Sequence, residues 1–168
     1  MADTPEGRRF ATAPLDQIAR GTTFFVAGLV LILPAVLGLV SGRPGSAIGA
    51  VVVGIVILAA SWALSPASYT LQGQNLQVHR RLWRPFTTVV EGFSRHDDPG
   101  RLGWRVVGAG GLFGWFGRFK RPYLGMYRAY VTSRDAGDLV ALKTTAGVLL
   151  LSPADRRPFM ATLKKALR

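Results

Sequence analysis

The densest group of side chains able to bind something lies between Pro99 and Arg134, where Arg101, Arg105, Arg118, Lys120, Arg121, Arg128 and Arg134 occur without one acidic residue. Trp104, Phe113, Trp115, Phe116, Phe119 and Tyr123 are interleaved with them. Cations beside aromatic rings suit the headgroup layer of a membrane, where rings bury partly and basic groups meet anionic lipid. Each basic residue there is worth about 1 kcal/mol, screened by salt. Arg105, Trp115, Phe116, Arg118, Lys120 and Arg121 are accordingly the expected lipid- or partner-binding residues. Three roles are open to the rings: filling a core, touching lipid, or docking a protein.

The other candidate chemistry is sparse. His79-Arg80-Arg81 with Arg84 forms a second basic cluster, suited to an anionic surface or simply to water. His96-Asp97-Asp98 is the one run of metal-ligand types, and Glu91 is the only other carboxylate in that half of the domain, so no metal site is expected. The chain has no cysteine, which removes disulfides, thiolate metal sites and cysteine nucleophiles. Gly108, Gly110, Gly111, Gly114 and Gly117 are not followed by the Gly-Lys-Ser/Thr of a phosphate loop. Two histidines and six carboxylates follow Pro66, with no spacing that pairs an acid with a base, so neither catalysis nor a cofactor nor a small-molecule substrate is expected. A net charge of +12 suits nucleic acid, but membrane tethering and the absence of a recognition motif argue against that partner.

The elements that position these residues begin with two uncharged runs, Gly21 to Gly42 and Pro44 to Pro66, separated by Arg43 alone. Twenty apolar residues cross a hydrocarbon core of about 30 Å, so the pattern predicts an antiparallel transmembrane hairpin over 21–66. The first apolar run is too long for a signal peptide and leads straight into the second, so no cleavage is expected. Seventeen of the twenty-one Lys and Arg follow Pro66, and Arg8, Arg9 and Arg20 precede the first span. The positive-inside rule then places both termini in the cytoplasm. Neither span holds an ionisable residue, which argues against a channel or carrier. Ser46, Ala50 and Gly54 recur every four residues and form the expected helix-docking face, toward the first span or toward another membrane protein.

After Pro66 the pattern changes to alternation. Tyr69 and Leu71, then Leu76 and Val78, flank Gly73-Gln74-Asn75 and predict a β-hairpin. Further strands are expected over 87–93, 123–132, 139–143 and 148–151, with a loop through the glycine-aromatic segment. Phe159, Leu163 and Leu167 give one apolar stripe on a closing helix that starts near Asp155 or Pro158. The segments are thus a tail (1–20), a hairpin (21–66) and one mainly-β domain (67–168).

Tyr69-Thr-Leu with Leu76-Gln-Val, Gly111-Leu-Phe-Gly-Trp-Phe-Gly-Arg-Phe119, Leu124-Gly125, Tyr130-Val-Thr132 and Ser152-Pro153-Ala-Asp155 with Phe159 resemble, in that order, the bacterial pleckstrin-homology domain family tethered to membranes by preceding helices. The resemblance covers roughly Ser68 to Leu167. It implies an antiparallel PH-like barrel or bent sheet capped by a C-terminal helix, at the bacterial inner membrane. It carries over no catalytic residue and no established ligand. Eukaryotic relatives carry basic residues on the first two strands and their loop, whereas that loop here is the neutral Gly73-Gln74-Asn75, so inositol-phosphate specificity is not expected. The expected function is a non-enzymatic accessory or scaffold subunit of a larger integral-membrane complex; the alternative is a module reading anionic lipid headgroups at the cytoplasmic surface.

Overall fold

The computed structural model describes residues 7–94, 102–122, 125–135 and 137–168. A short strand, β1 (Arg8–Ala11), precedes two long helices, α1 (Gln17–Val40) and α2 (Pro44–Leu64). Asp16 caps α1 by accepting the Ala19 N–H at 2.6 Å, and Pro44 opens α2 where its missing N–H costs nothing. Both helices are long and apolar enough to cross a membrane, and only 6% of each apolar window is buried against the rest of the chain, unlike the core helix of a soluble protein.

The helices approach closely at two glycines. A side chain at Gly38 would run into Ala47, and one at Gly54 into the side chain and carbonyl of Val30. Up to Ser61, the less exposed positions of α2 are Ala47, Val51, Gly54, Leu58 and Ser61, which recur in alternating steps of four and three. That average of 3.5 is the period of an antiparallel seam, and a strict step of four drifts off it. Ser46 and Ala50 are therefore exposed while Gly54 faces α1, so the expected docking face is split between two sides of the helix. Gly54→Leu is expected to overpack the seam at a cost of about 1–3 kcal/mol. Spin labels at the exposed positions Leu33 and Val52 should then report a longer, broader interhelical distance. Gly49→Leu, with nothing within 4 Å of its added Cβ, should leave that distance unchanged.

Eight strands and one helix follow: β2 (Pro66–Gln72), β3 (Asn75–Arg80), β4 (Phe86–Phe93), β5 (Trp104–Gly110), β6 (Trp115–Arg121), β7 (Gly125–Val131), β8 (Val140–Thr144), β9 (Gly147–Leu151) and α3 (Arg156–Ala166). With β1 they make one bent, open sheet in the order β1-β2-β3-β4-β8-β9-β7-β6-β5, antiparallel throughout except for the β7–β9 pair. The β2–β3 hairpin turns at Gly73, whose φ of 58 suits glycine, and pairs Leu71 with Leu76 and Tyr69 with Val78. Pro158 sits in the first turn of α3, which begins at Arg156.

The sheet is covered on both faces. Phe159 and Leu163 of α3 fill the concave side with Phe10, Tyr69, Leu76, Phe116 and Tyr130, and Phe159 meets Phe10 edge-on at 5.1 Å. Trp115, Phe119, Tyr127 and Leu150 pack on the other side against Ala19 of α1 and Leu139. Tyr69 donates its hydroxyl to the Tyr130 carbonyl at 2.7 Å and accepts the Ser152 N–H at 3.3 Å. Burial pushes its phenol well above the ordinary tyrosine range, against the opposing pull of Ser152. Ser152 Oγ in turn accepts the Thr132 N–H at 2.8 Å, so the Ser-Pro motif locks the ends of β7 and β9 together.

Hydrogen bonds fasten the helices to the sheet, among them Arg134 N–H to the α1 cap Asp16 at 3.0 Å. Thr23 Oγ1 of α1 accepts the Phe113 N–H at 3.0 Å, at the tip of the β5–β6 hairpin. Arg81 and Leu82 donate their backbone N–H groups to the carbonyls of Ser65 and Ala63 at 3.1 and 3.0 Å, tying the β3–β4 loop to the end of α2.

Candidate functional site

Strand periodicity divides the basic-aromatic segment between two faces. It is not a loop: Trp115 to Arg121 is β6, paired on both edges. Successive side chains of a strand point to opposite sides, so Phe116, Arg118 and Lys120 share the concave side and Trp115, Phe119 and Arg121 the other. Trp115 and Phe116 are each only 6% exposed and belong to the two cores. Trp115 is committed to packing, while Phe116, packed in the other core, also lines a cleft between the halves of the sheet. Arg105 and Lys120 are exposed and Arg121 half-buried. Lys120 lies about 20 Å along the strand from the hairpin tip that touches α1. These residues do not form one surface. Arg134 is structural: its guanidinium stacks 4.4 Å over Trp115 and lies 3.7 Å from Asp16. Arg101, Tyr123 and the His96-Asp97-Asp98 run lie outside the described residues.

What the fold does bring together is Arg118 with two arginines distant in sequence. Arg118 stands directly opposite Arg128 in the β6–β7 ladder. Arg80 arrives from β3, across the bend, and donates Nη2 to the Tyr130 hydroxyl at 2.7 Å while its guanidinium stacks 5.2 Å from the Tyr130 ring. The Arg128 guanidinium lies 4.7 Å over Phe86, whose ring is 5.6 Å from that of Tyr130. Between the two halves of the sheet runs a cleft of about 400 Å³, and Leu64, the last residue of α2, is among the residues lining it. Gly108 and Gly117, facing each other across β5 and β6, contribute bare backbone to its wall.

A second hollow of about 650 Å³, lined by residues 14–18 with Ser133, Arg134, Asp135 and Asp138, is the larger. Its best-placed carboxylate, Asp16, is already committed to Ala19 N–H, Arg134 N–H and the Arg134 guanidinium. Among the described residues no three His, Cys, Asp or Glu side chains gather to hold a metal.

A bent sheet whose mouth is closed by a C-terminal helix agrees with the comparison of the sequence with family models, in which residues 67–167 match the bacterial PH domain. The chain belongs to the bacterial PH domain family. Searches of curated proteins and of solved structures find no match. PH domains are generally non-catalytic and often bind lipids or proteins. This bacterial PH domain departs from the matched segment in one respect: β1, ahead of the hairpin, adds an edge strand to its sheet. Its turn between β2 and β3, Gly73-Gln74, is uncharged, and its cationic cleft is built by β3, β6 and β7 instead. Sequence reading singled out Arg118 and the His79-Arg80-Arg81 run but not their meeting with Arg128, Phe86 and Tyr130. The signal lay in pairing: once β6 and β7 are aligned, Arg118 must face Arg128.

Proposed function

We propose that this bacterial PH domain is a non-enzymatic module, anchored in the inner membrane by its hairpin, that engages anionic lipid at the cytoplasmic surface. The observation that carries the reading is the foot of the domain. The β3–β4 loop is tied to the last turn of α2, and there Leu82 and Trp83 are 70% and 61% exposed. Arg81 is held against Ser65 Oγ at 3.1 Å and over the Trp62 ring at 5.4 Å, and Arg84 is exposed beside them. Tryptophan and arginine at the end of a membrane-length helix are the side chains that settle in the headgroup layer. The β1–β2 pairing supports both ends of the hairpin lying on one side of the membrane, since β1 precedes the hairpin and β2 follows it. The excess of basic residues after Pro66 favours the cytoplasmic side.

The full-length chain reconstituted in a mixture of phosphatidylcholine and phosphatidylglycerol tests the reading. Lipid retained on the purified protein should be enriched in phosphatidylglycerol severalfold over the bulk. Trp83→Ser with Arg84→Glu should lower that enrichment, more at low salt than at high. Retained lipid of bulk composition in the wild type would defeat the proposal.

A second reading, an accessory subunit of an integral-membrane complex, is favoured by the β5 edge. Among the described residues β5 pairs with β6 alone, and Trp104 and Val107 on it are 82% and 65% exposed. Exposed Ser46 and Ala50 on α2 give such a partner a second, close-fitting surface.

A further inference from the structure

The cleft has a charge arrangement that the fold itself does not explain. Like charges directly opposite on adjacent strands destabilise a sheet, yet Arg118 faces Arg128 with no Asp or Glu among the residues lining the space between the sheet halves. Arg80 adds a third guanidinium, and its Nε is buried without a hydrogen-bond partner among the described residues. A buried donor left unpaired costs free energy that folded proteins normally avoid. Stacking fixes both Arg80 and Arg128 on aromatic rings. A guanidinium held by its face keeps its in-plane N–H donors for a planar or tetrahedral anion. The apolar side chains Leu64, Phe86 and Val107 line the same space.

We infer that this cleft binds the phosphate ester of an anionic lipid headgroup, with Arg80, Arg118 and Arg128 as the phosphate ligands and Leu64 marking where the acyl chains continue along α2. A soluble phosphate ester shares the ligand chemistry, but the apolar lining and the presence of Leu64, at the end of the hairpin, in the wall favour a lipid. The inference rests on the lipid reading of the domain and places a single saturable site within it, separate from the general contact at Trp83 and Arg84.

The test is native mass spectrometry of the full-length chain in neutral detergent, titrated with phosphatidylglycerol, with phosphatidylcholine in parallel and glycerol phosphate as competitor. The wild type should take up one phosphatidylglycerol saturably, at least tenfold more tightly than phosphatidylcholine. Arg118→Gln with Arg128→Gln should weaken that uptake at least tenfold, while its ligand-free melting temperature should change little, since relief of the like-charge pair offsets the lost stacking of Arg128 on Phe86. Trp83→Ser with Arg84→Glu should keep the saturable site. Equal competition by glycerol phosphate would overturn the lipid as source, and its failure to compete supports it. If anionic lipid is still enriched around the double arginine variant and saturable uptake is unchanged, the cleft is not the site although the lipid reading survives. If the wild type discriminates against no lipid, both fall. Should the double variant not fold, the wild type's melting temperature decides: raised by phosphatidylglycerol but not by phosphatidylcholine supports the site, and unchanged by either refutes it.

Discussion

Gly117→Ala is expected to cost about 2–6 kcal/mol, a large share of the 5–15 kcal/mol that typically holds a domain together. Gly108 and Gly117 face each other in the β5–β6 ladder with φ values of 127 and 128. An L side chain rarely adopts that backbone, which alone costs roughly 1–3 kcal/mol. A Cβ on Gly117 would also meet the Val107 carbonyl and lie 2.8 Å from the Gly108 Cα. Those atoms are backbone on the partner strand and cannot turn aside as a side chain would. Thermal unfolding of the full-length chain followed by circular dichroism should show a melting temperature lower by roughly 10 °C. Gly137→Ala, whose added Cβ meets nothing within 4 Å, is the control. Equal melting of the two variants would contradict the described crossing of β5 and β6.

Phe10→Ala should destabilise the domain by about 3–5 kcal/mol, the usual cost of emptying a buried phenylalanine site. Phe10 is 7% exposed, packs edge-on against Phe159 and lies opposite Tyr69 in the β1–β2 ladder. Because β1 lies ahead of the hairpin, a fragment of residues 67–168 loses it altogether. Such a fragment exposes the edge of β2 and one side of Phe159, and edges of that kind invite aggregation. The expected result is that the fragment self-associates, whereas a chain in which a flexible linker replaces the hairpin, keeping residues 7–16, stays monomeric by light scattering. A well-behaved monomeric fragment as stable as the linked chain would show β1 to be dispensable.

The parts of this fold that were legible in the sequence are those whose signal is local. Two apolar runs around a Gly-Pro turn predict the hairpin, and alternation about Gly73 predicts β2 and β3. The stripe of Phe159, Leu163 and Leu167 predicts α3. What stayed hidden depends on partners far away in the chain. The four residues of β1 include two arginines and become a strand only by pairing with β2. β6 is covered on both faces, so its sequence shows no alternation, and its glycines read as loop although Gly117 is there to let β5 and β6 cross closely. Composition therefore drew attention to the right segment with the wrong conformation. Trp115 and Phe116 went to the cores, and Arg118 found its companions through strand register. On α2, steps of four picked out Ser46, Ala50 and Gly54, but a packed helix pair follows 3.5, which keeps only Gly54 in the seam.

Extraction of the full-length chain from its native membrane in a polymer that retains bilayer lipid, followed by quantification of every protein and lipid in the particle, tests the functional account most directly. Recovery of the chain with phosphate-bearing anionic lipid enriched over the surrounding membrane, and without an integral-membrane protein at equal amount, is the predicted result. A stoichiometric membrane partner in lipid of bulk composition would contradict it, and would make the β5 edge and the outer face of α2 the working surfaces of the protein.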